Sequence, residues 1–395
     1  TLIKFWMPYG KQLTAKNHQE MRQLENDFRG WCLTSEHAER LENLYNRTFF
    51  GDVNRAVGTA PLPLEGITEG IIPHHFQNEA VRFLLDRGKG IMALDVGLGK
   101  TFAAILLARM LRQTGKAKKP VVSCPKSVLI NWAHEVETLF PDSKILVVGA
   151  TPVLDKDGNV KKDSNGRTVY KQDRKSANVA RQLVDMQQND YDLVLMSKET
   201  LANIAVKEDS LNEYVESDFE FRRHDALANA GQKKSAKARD KARQQIKATH
   251  DAKVAKGLKT QGGLPIYWGD LGIDALIADE AHMYKNLHKL ERVRSHESTS
   301  NAKHMGGKAE SARAQDMHLK ARLVLERRRP GESKDAHKER IARMKQRTGG
   351  ESGDGVFFLT ATPTSNSPIE VYNMLDIIAP EEFEARGIRN VEDFA

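Results

Sequence analysis

The chain has 395 residues, 39% of them apolar and 29% charged, with a net charge of +8. This suits a soluble protein of two or three domains, or one large α/β domain with insertions, and no apolar run is long enough to span a bilayer. Cys32 and Cys124 stand in no metal-ligand spacing, which points to a reduced, cytoplasmic setting.

The chain starts at Thr1 with no charged-then-apolar leader, so it reads as a piece of something longer. Residues 1–64 carry few strand signals. Ala38, Leu41, Leu44 and Tyr45 share one face of an expected helix, and Gly51 to Pro63 reads as loop, giving a helical lead-in. A second helix opens at Pro73-His74-His75-Phe76-Gln77 and carries Ala80, Val81, Leu84 and Leu85. Ile91–Leu94 then reads as a buried strand, and Phe102–Ala108, apolar nearly all round, as a buried helix.

Between that strand and helix lies Asp95-Val96-Gly97-Leu98-Gly99-Lys100-Thr101. Strand, glycine loop, Lys-Thr and helix make a phosphate-binding loop. Glycine lets backbone N–H groups close around phosphate oxygens, and the helix N-terminus adds the positive end of its dipole. In this reading Lys100 neutralises the β- and γ-phosphates and the Thr101 hydroxyl ligates Mg²⁺. Leu94 stands where the full G-x-x-x-x-G-K-[ST] pattern has its first Gly. The stretch alone therefore also fits a Gly-rich turn with an exposed lysine. Gln77 could read an adenine edge with its amide, or be a surface residue.

Pro120–Pro125 reads as a second strand, followed by an amphipathic helix with Val128, Leu129, Trp132, Val136 and Leu139. Lys144–Gly149 and Tyr191–Met196 are the third and fourth strands. Asp155–Asp173 carries Asp-Gly and Asn-Gly turns, the mark of an inserted hairpin. Asp155, Asp157 and Asn159 do not form a calcium loop, because the required Gly and closing Glu are misplaced. The segment 202–262 shows no apolar stripe. Its part 232–259 holds ten Lys or Arg against Asp240 and Asp251, a surplus equal to that of the whole chain. Such a segment suits a polyanionic partner or a solvated helix.

Ile273–Ala278 reads as a fifth strand and runs into Asp279-Glu280-Ala281-His282. Lys303–Arg347 is basic and helix-prone, with no apolar core of its own expected beyond Leu319, Leu323 and Leu325. Val356–Leu359 is the sixth strand and ends in Thr360-Ala361-Thr362-Pro363. Ser367-Pro368-Ile369-Glu370 then opens a helix, with a Ser cap and a Glu placed to close a capping box.

A strand ending in Asp-Glu has a specific use in a chain with a phosphate loop. Asp279 can hold Mg²⁺ through water, while Glu280 orients and deprotonates the water that attacks the γ-phosphate. The pair is expected beside the loop at the neighbouring strand's end, where α/β sheets bind ligands. With Gly-Leu-Gly-Lys-Thr upstream and Thr-Ala-Thr-Pro downstream, each after an apolar strand, an ordinary acidic strand end is set aside.

These motifs resemble the first RecA-like domain of superfamily-two helicases and translocases, most closely the Swi/Snf-type branch. Asp95–Thr101 is similar to its motif I, where Leu94 for Gly is usual. Cys124-Pro125-Lys126-Ser127 through Asn131-Trp132 is similar to motif Ia, Asp279–Asn286 to motif II, and Leu359–Asn366 to motif III. The likeness covers about residues 71 to 385, apart from insertions at about 151–180, 202–262 and 295–352.

The resemblance implies an α/β fold for residues 65–395: a RecA-like P-loop NTPase domain with a mostly parallel central sheet flanked by helices, plus basic helical insertions. It implies ATP and Mg²⁺ as cofactors. Gln77, Asp95, Gly97, Leu98, Gly99, Lys100 and Thr101 would bind nucleotide, Thr101 and Asp279 the metal, and Glu280, Asp279 and Lys100 would be catalytic. Double-stranded DNA would meet Lys126, Asn131, Lys198, Ser365 and Asn366, with Thr360, Ala361 and Thr362 coupling the two sites. The family's second RecA-like domain, which supplies an arginine finger, is expected beyond Ala395. Arg327 to Arg329 and Arg386 do not stand where the family places that finger.

Trp31, Tyr45-Asn46, Leu62-Pro63-Leu64, His75–Val81 and Thr362–Ser367 give a narrower resemblance. It is to large phage and plasmid fusion proteins that join a DNA methyltransferase-like part to such a helicase module, some of them linked to protection against host restriction. That implies the cytoplasm, the host's if the chain is phage-encoded; no methyltransferase motif lies within it. The leading expectation is the nucleotide-binding half of an ATP-driven translocase on double-stranded DNA. The alternatives are an RNA helicase of the Asp-Glu-Ala-His type and a nucleic-acid-binding module with a dormant motor. The motif Ia wording and Lys285-Asn286 favour DNA, and the intact Lys100, Thr101, Asp279 and Glu280 favour a working site.

Overall fold

In the computed structural model each of the six apolar runs forms a strand of one sheet. The structure describes residues 58, 60–173, 175–214, 258–259, 263–288, 311–328, 331–346, 353–364 and 367–384, with single positions elsewhere. The chain divides into two units, Thr1–Val57 and Gly58–Ala395. In the first, Gln23, Asn26, Asp27, Gly30 and Trp31 are helical. The expected helix face at Ala38, Leu41, Leu44 and Tyr45 lies outside the described residues, as do Cys32 and most of 232–259.

The strands of the second unit are β1 (Lys89–Ala93), β2 (Pro120–Cys124), β3 (Ile145–Val147), β4 (Ala150–Pro152), β5 (Tyr170–Gln172), β6 (Leu193–Ser197), β7 (Ala275–Ala278) and β8 (Val356–Thr360). The main sheet has the order β1-β8-β7-β2-β6-β3, and every pairing in it is parallel. Parallel sheets are covered on both faces, which is why these strands read as unbroken apolar runs rather than alternating ones. Side chains still alternate between the faces. Along β8, Val356 and Phe358 enter one core, and Phe357 and Leu359 enter the other.

The second core is built with α1 (His75–Arg87), α2 (Lys100–Gln113) and α3 (Leu129–Leu139). Ala103 to Ala108 on α2 are all buried, as a helix apolar on every side requires. The first core is built with α4 (Ser176–Gln188), the short α5 (Lys198–Asn203), α6 (Ala312–Leu325) and α8 (Ile369–Ile378). Helix α7 (Lys334–Gln346) precedes β8, and α9 (Pro380–Glu384) follows α8.

Helix α6 departs from the sequence reading. It buries Ala314, Met317, Leu319, Ala321, Val324 and Leu325, so the basic stretch that contains it supplies a wall of the core. Lys320 is fully buried there, donating to the Leu201 carbonyl at 2.5 Å and to Asp316 at 2.9 Å, with its ammonium 5.7 Å from the Trp268 ring centre. The flanks of 202–262 also pack inward, through Ile204, Val206, Leu211, Tyr214 and Leu258. The hairpin after β3 is present. β4 and β5 pair antiparallel, and the bridges Leu154 to Val160 and Lys162 to Thr168 extend it through turns in which Asp155 and Asp163 accept backbone N–H groups.

Candidate active site

Because the sheet is parallel, every loop that follows a strand emerges at one edge. Register fixes the levels: Ala93 of β1 pairs with Thr360 of β8, Phe358 of β8 with Ala278 of β7, and Ser123 of β2 with Ala278. The loops beginning at Leu94, Pro125, Asp279 and Ala361, together with Lys198 after β6, therefore share this edge, where open α/β sheets take their ligands. One expectation needs correction. The Asp-Glu pair does not follow the strand beside β1, because β8 lies between β1 and β7. Two strand spacings, about 10 Å, separate the ends of β1 and β7. Thr360, Ala361 and Thr362 begin in the space between them, with Thr360 fully buried and its Oγ1 accepting from the Thr362 N–H at 3.1 Å.

The loop after β1 is shaped by two glycines. Gly97 has φ +86° and Gly99, the N-cap of α2, has φ +74°, both in the left-handed region that glycine enters without strain. At Gly99 a Cβ would stand 2.6 Å from Gln77 Nε2, so a side chain there is excluded by space as well. Lys100 lies at the mouth of the loop, its ammonium donating to the carbonyls of Leu94 at 2.9 Å and Asp95 at 3.3 Å. Thr101 is in the first turn of α2. Asp95, Val96, Gly97 and Leu98 are exposed, and the loop is open on its outer side.

Gln77 is buried beneath this loop. Its Oε1 accepts from the His74 N–H at 3.0 Å, and its Nε2 donates to the Leu98 carbonyl at 3.1 Å. The amide thus starts α1 and pins the phosphate loop, leaving one N–H and one lone pair for a base.

Asp279 is buried at the end of β7, with its Oδ1 accepting from the Glu280 N–H at 2.8 Å. Burial raises its carboxyl above the usual carboxylate range; the hydrogen bond from the Glu280 N–H, Lys198 and the Trp132 indole oppose that rise. Glu280 is half-exposed. It has φ +48°, the only positive value at a non-glycine among the described residues. His282 Nδ1 lies 3.0 Å from Glu280 Oε2 but without hydrogen-bond geometry.

The segment after the pair is tied to α8. Lys285 meets Glu370 at 2.8 Å, and Asn373 donates to the Lys285 carbonyl at 2.7 Å and the His288 carbonyl at 3.2 Å. The Glu370 carboxylate, expected to close a capping box, therefore reaches across to the segment after Glu280. Ser367 Oγ does serve the start of α8, accepting from the Ile369 N–H at 3.3 Å.

These residues fit a nucleotide and its metal by their chemistry. A helix N-terminus, a loop in which a Cβ at Gly99 would collide, an ammonium, and two oxygen donors (the Thr101 hydroxyl and Asp279) suit a phosphate chain with Mg²⁺, which keeps several of its waters.

The expected DNA residues divide. Lys126 and Asn131 are exposed on the same edge, while Ser365 and Asn366 lie outside the described residues. Lys198 is only 6% exposed, with its ammonium turned to the Glu280 carbonyl at 3.0 Å. Arg327 is spent on Asp354, just before β8 at the opposite edge of the sheet, and Arg386 on Glu382. Among the described residues no helix is long and apolar enough to cross a membrane.

The family model described as "Probable helicase domain" matches residues 83–335. The chain is 27% identical over 401 residues to the "Defense against restriction protein B" of Escherichia phage P1, a match spanning 96% of this chain and 16% of that protein. It is 36% identical over 83 residues to the "Uncharacterized ATP-dependent helicase YqhH" of Bacillus subtilis (strain 168), spanning 20% of this chain and 14% of that one. Among solved structures it is similar to the "Sulfolobus solfataricus SWI2/SNF2 ATPase core in complex with dsDNA", with a TM-score of 0.37, 12% identity, and coverage of 84% of this chain and 40% of that chain.

Proposed function

The chain belongs to the probable helicase domain family, and from that premise we propose that it is the nucleotide-binding half of an ATP-dependent double-stranded DNA translocase, within a longer phage or plasmid protein. The observation that carries this reading is the shared sheet edge. Lys100 and Thr101 stand after β1, Asp279 and Glu280 after β7, and Thr360 to Thr362 between them. Lys100 offsets phosphate charge, Thr101 and Asp279 hold the metal, and Glu280 orients the attacking water and takes its proton. Mg²⁺ supplies charge stabilisation at the phosphate oxygens when bound.

Exposed Lys126 and Asn131 suit a duplex backbone on the same edge. The phage relative named for defence against restriction, a process that acts on DNA, supports the choice of DNA, and its greater length supports a second domain. Residues 1–64 then form the lead-in, and the domain proper is residues 65–395. Titration with a fluorescent ATP analogue tests the site. Lys100→Ala loses charge-assisted contacts of about 1.5–3 kcal/mol each, so a variant binding as tightly as the parent would end the proposal.

A further inference from the structure

We propose that Lys198 is a positioning residue that sets the backbone of Glu280 for water activation. The inference rests on the ATP-hydrolysing reading of the site and deepens it.

Lys198 is the first residue of α5, held there because Ser197 caps the helix by accepting from the Thr200 N–H. The sheet order places β2 between β6 and β7, so Lys198 must cross the end of β2 to reach Glu280. At about 4.8 Å per strand, only a long side chain covers that span. It arrives as a buried ammonium, 3.0 Å from the Glu280 carbonyl, 3.1 Å from Met283 Sδ and 5.6 Å from the Tyr284 ring centre. A buried ammonium is rarely tolerated unless it is paired, and these three contacts all fall on one short segment, Glu280 to Tyr284.

That segment starts with an unusual backbone. Glu280 sits at φ +48°, ψ +51°, a conformation that a residue with a side chain adopts only when its surroundings hold it there. Three hydrogen bonds hold it: the Glu280 N–H donates to Asp279 Oδ1, and the Glu280 carbonyl accepts from Lys198 at 3.0 Å and from the Met283 N–H at 3.2 Å. Together they fix both peptide planes flanking the Glu280 Cα, and hence the direction in which its carboxylate leaves the chain. The ammonium also lies near two adjacent carboxylates, Asp279 and Glu280, and offsets their repulsion. Lys198 does not touch the reacting atoms and acts through Glu280.

The test compares the 395-residue chain with Lys198→Met and Lys198→Arg. It measures affinity for Mg²⁺–ATP by fluorescence, single-turnover release of labelled phosphate, and urea unfolding to confirm the fold. The expected result is a folded Lys198→Met chain that binds nucleotide within twofold of the parent yet releases phosphate at least tenfold more slowly, with part of the rate restored in Lys198→Arg. Parental phosphate release by Lys198→Met would overturn the proposal, and so would equal losses in binding and release, which indicate a structural role.

A readout without turnover is the amide resonance of Glu280. It should shift in Lys198→Met and return toward the parent in Lys198→Arg; an unmoved resonance would overturn the proposal. Failure of the parent chain to bind Mg²⁺–ATP at all would instead overturn the nucleotide-site reading on which the proposal stands.

Discussion

Gly99→Ala probes the phosphate loop at its tightest point. Gly99 has φ +74°, where an alanine costs about 1–2 kcal/mol more than glycine. The new Cβ would stand 2.6 Å from Gln77 Nε2, so the amide must swing away and lose its bond to the Leu98 carbonyl, about 1 kcal/mol more. The sum, about 2–3 kcal/mol, corresponds to about a 30- to 140-fold loss of affinity for Mg²⁺–ATP at 1.4 kcal/mol per decade. Gly97→Ala is the control. Its φ is +86°, but nothing lies within 4 Å of the added carbon, so only the strain remains and the loss is about 5- to 30-fold. The assay is titration with a fluorescent ATP analogue, extended to Gln77→Ala and the double variant. The double variant should bind no worse than Gly99→Ala, because the contact is already broken. Parental affinity in Gly99→Ala, or full additivity with Gln77→Ala, would refute the reasoning.

Two further outcomes concern the rest of the fold. Lys320→Ala removes a fully buried ammonium from beside Asp316 and the Leu201 carbonyl, and should lower stability by about 3–5 kcal/mol in urea unfolding; a loss under 1 kcal/mol would contradict the packing described. Burial lowers the Lys198 ammonium from its ordinary 10.5 to about 8. Between those pH values the unfolded chain holds a proton that the folded chain has released, so folding becomes more favourable as pH rises. The parent should therefore gain on Lys198→Met from pH 8 to 10.5, by up to about 3 kcal/mol at 1.36 kcal/mol per unit. The opposite trend in urea unfolding would contradict the burial.

Much of this was legible in the sequence, for physical reasons. Buried parallel strands need apolar residues on both faces, so the runs at 120–125, 191–196 and 273–278 stand out, and Gly-Leu-Gly-Lys-Thr and Asp-Glu mark where two strands end. The order of the strands was not legible. Local patterning carries no record that β8 enters between β1 and β7, since that pairing joins residues far apart in the chain. Helix α6 was obscured because Arg313, Lys320 and Arg322 mask a stripe of small apolar residues, and Lys320 is buried through partners 119 and 4 residues away. The burial of Lys198 was not legible for a related reason. A lysine after a strand is ordinarily a surface cation, and only the three-dimensional approach of Glu280, 82 positions distant, shows where its ammonium goes. The amide chemistry of Gln77 that suits a base contact is plain in the sequence, while its bond to Leu98 needs the fold to bring the start of α1 under the loop.

If the chain is the ATP-binding half of a motor, as proposed, its turnover needs a second domain. Steady-state phosphate release by the 395-residue chain, with and without duplex DNA, tests it most directly. Charge stabilisation by an arginine finger contributes about 10³–10⁵ in rate, and among the described residues Arg327 and Arg386 are engaged elsewhere. The chain alone should therefore hydrolyse ATP very slowly. Supplying the second domain, on one longer chain or in trans, should restore DNA-stimulated turnover, which Glu280→Gln abolishes while ATP still binds. Turnover of several per second by this chain alone, stopped by Glu280→Gln, would contradict the account.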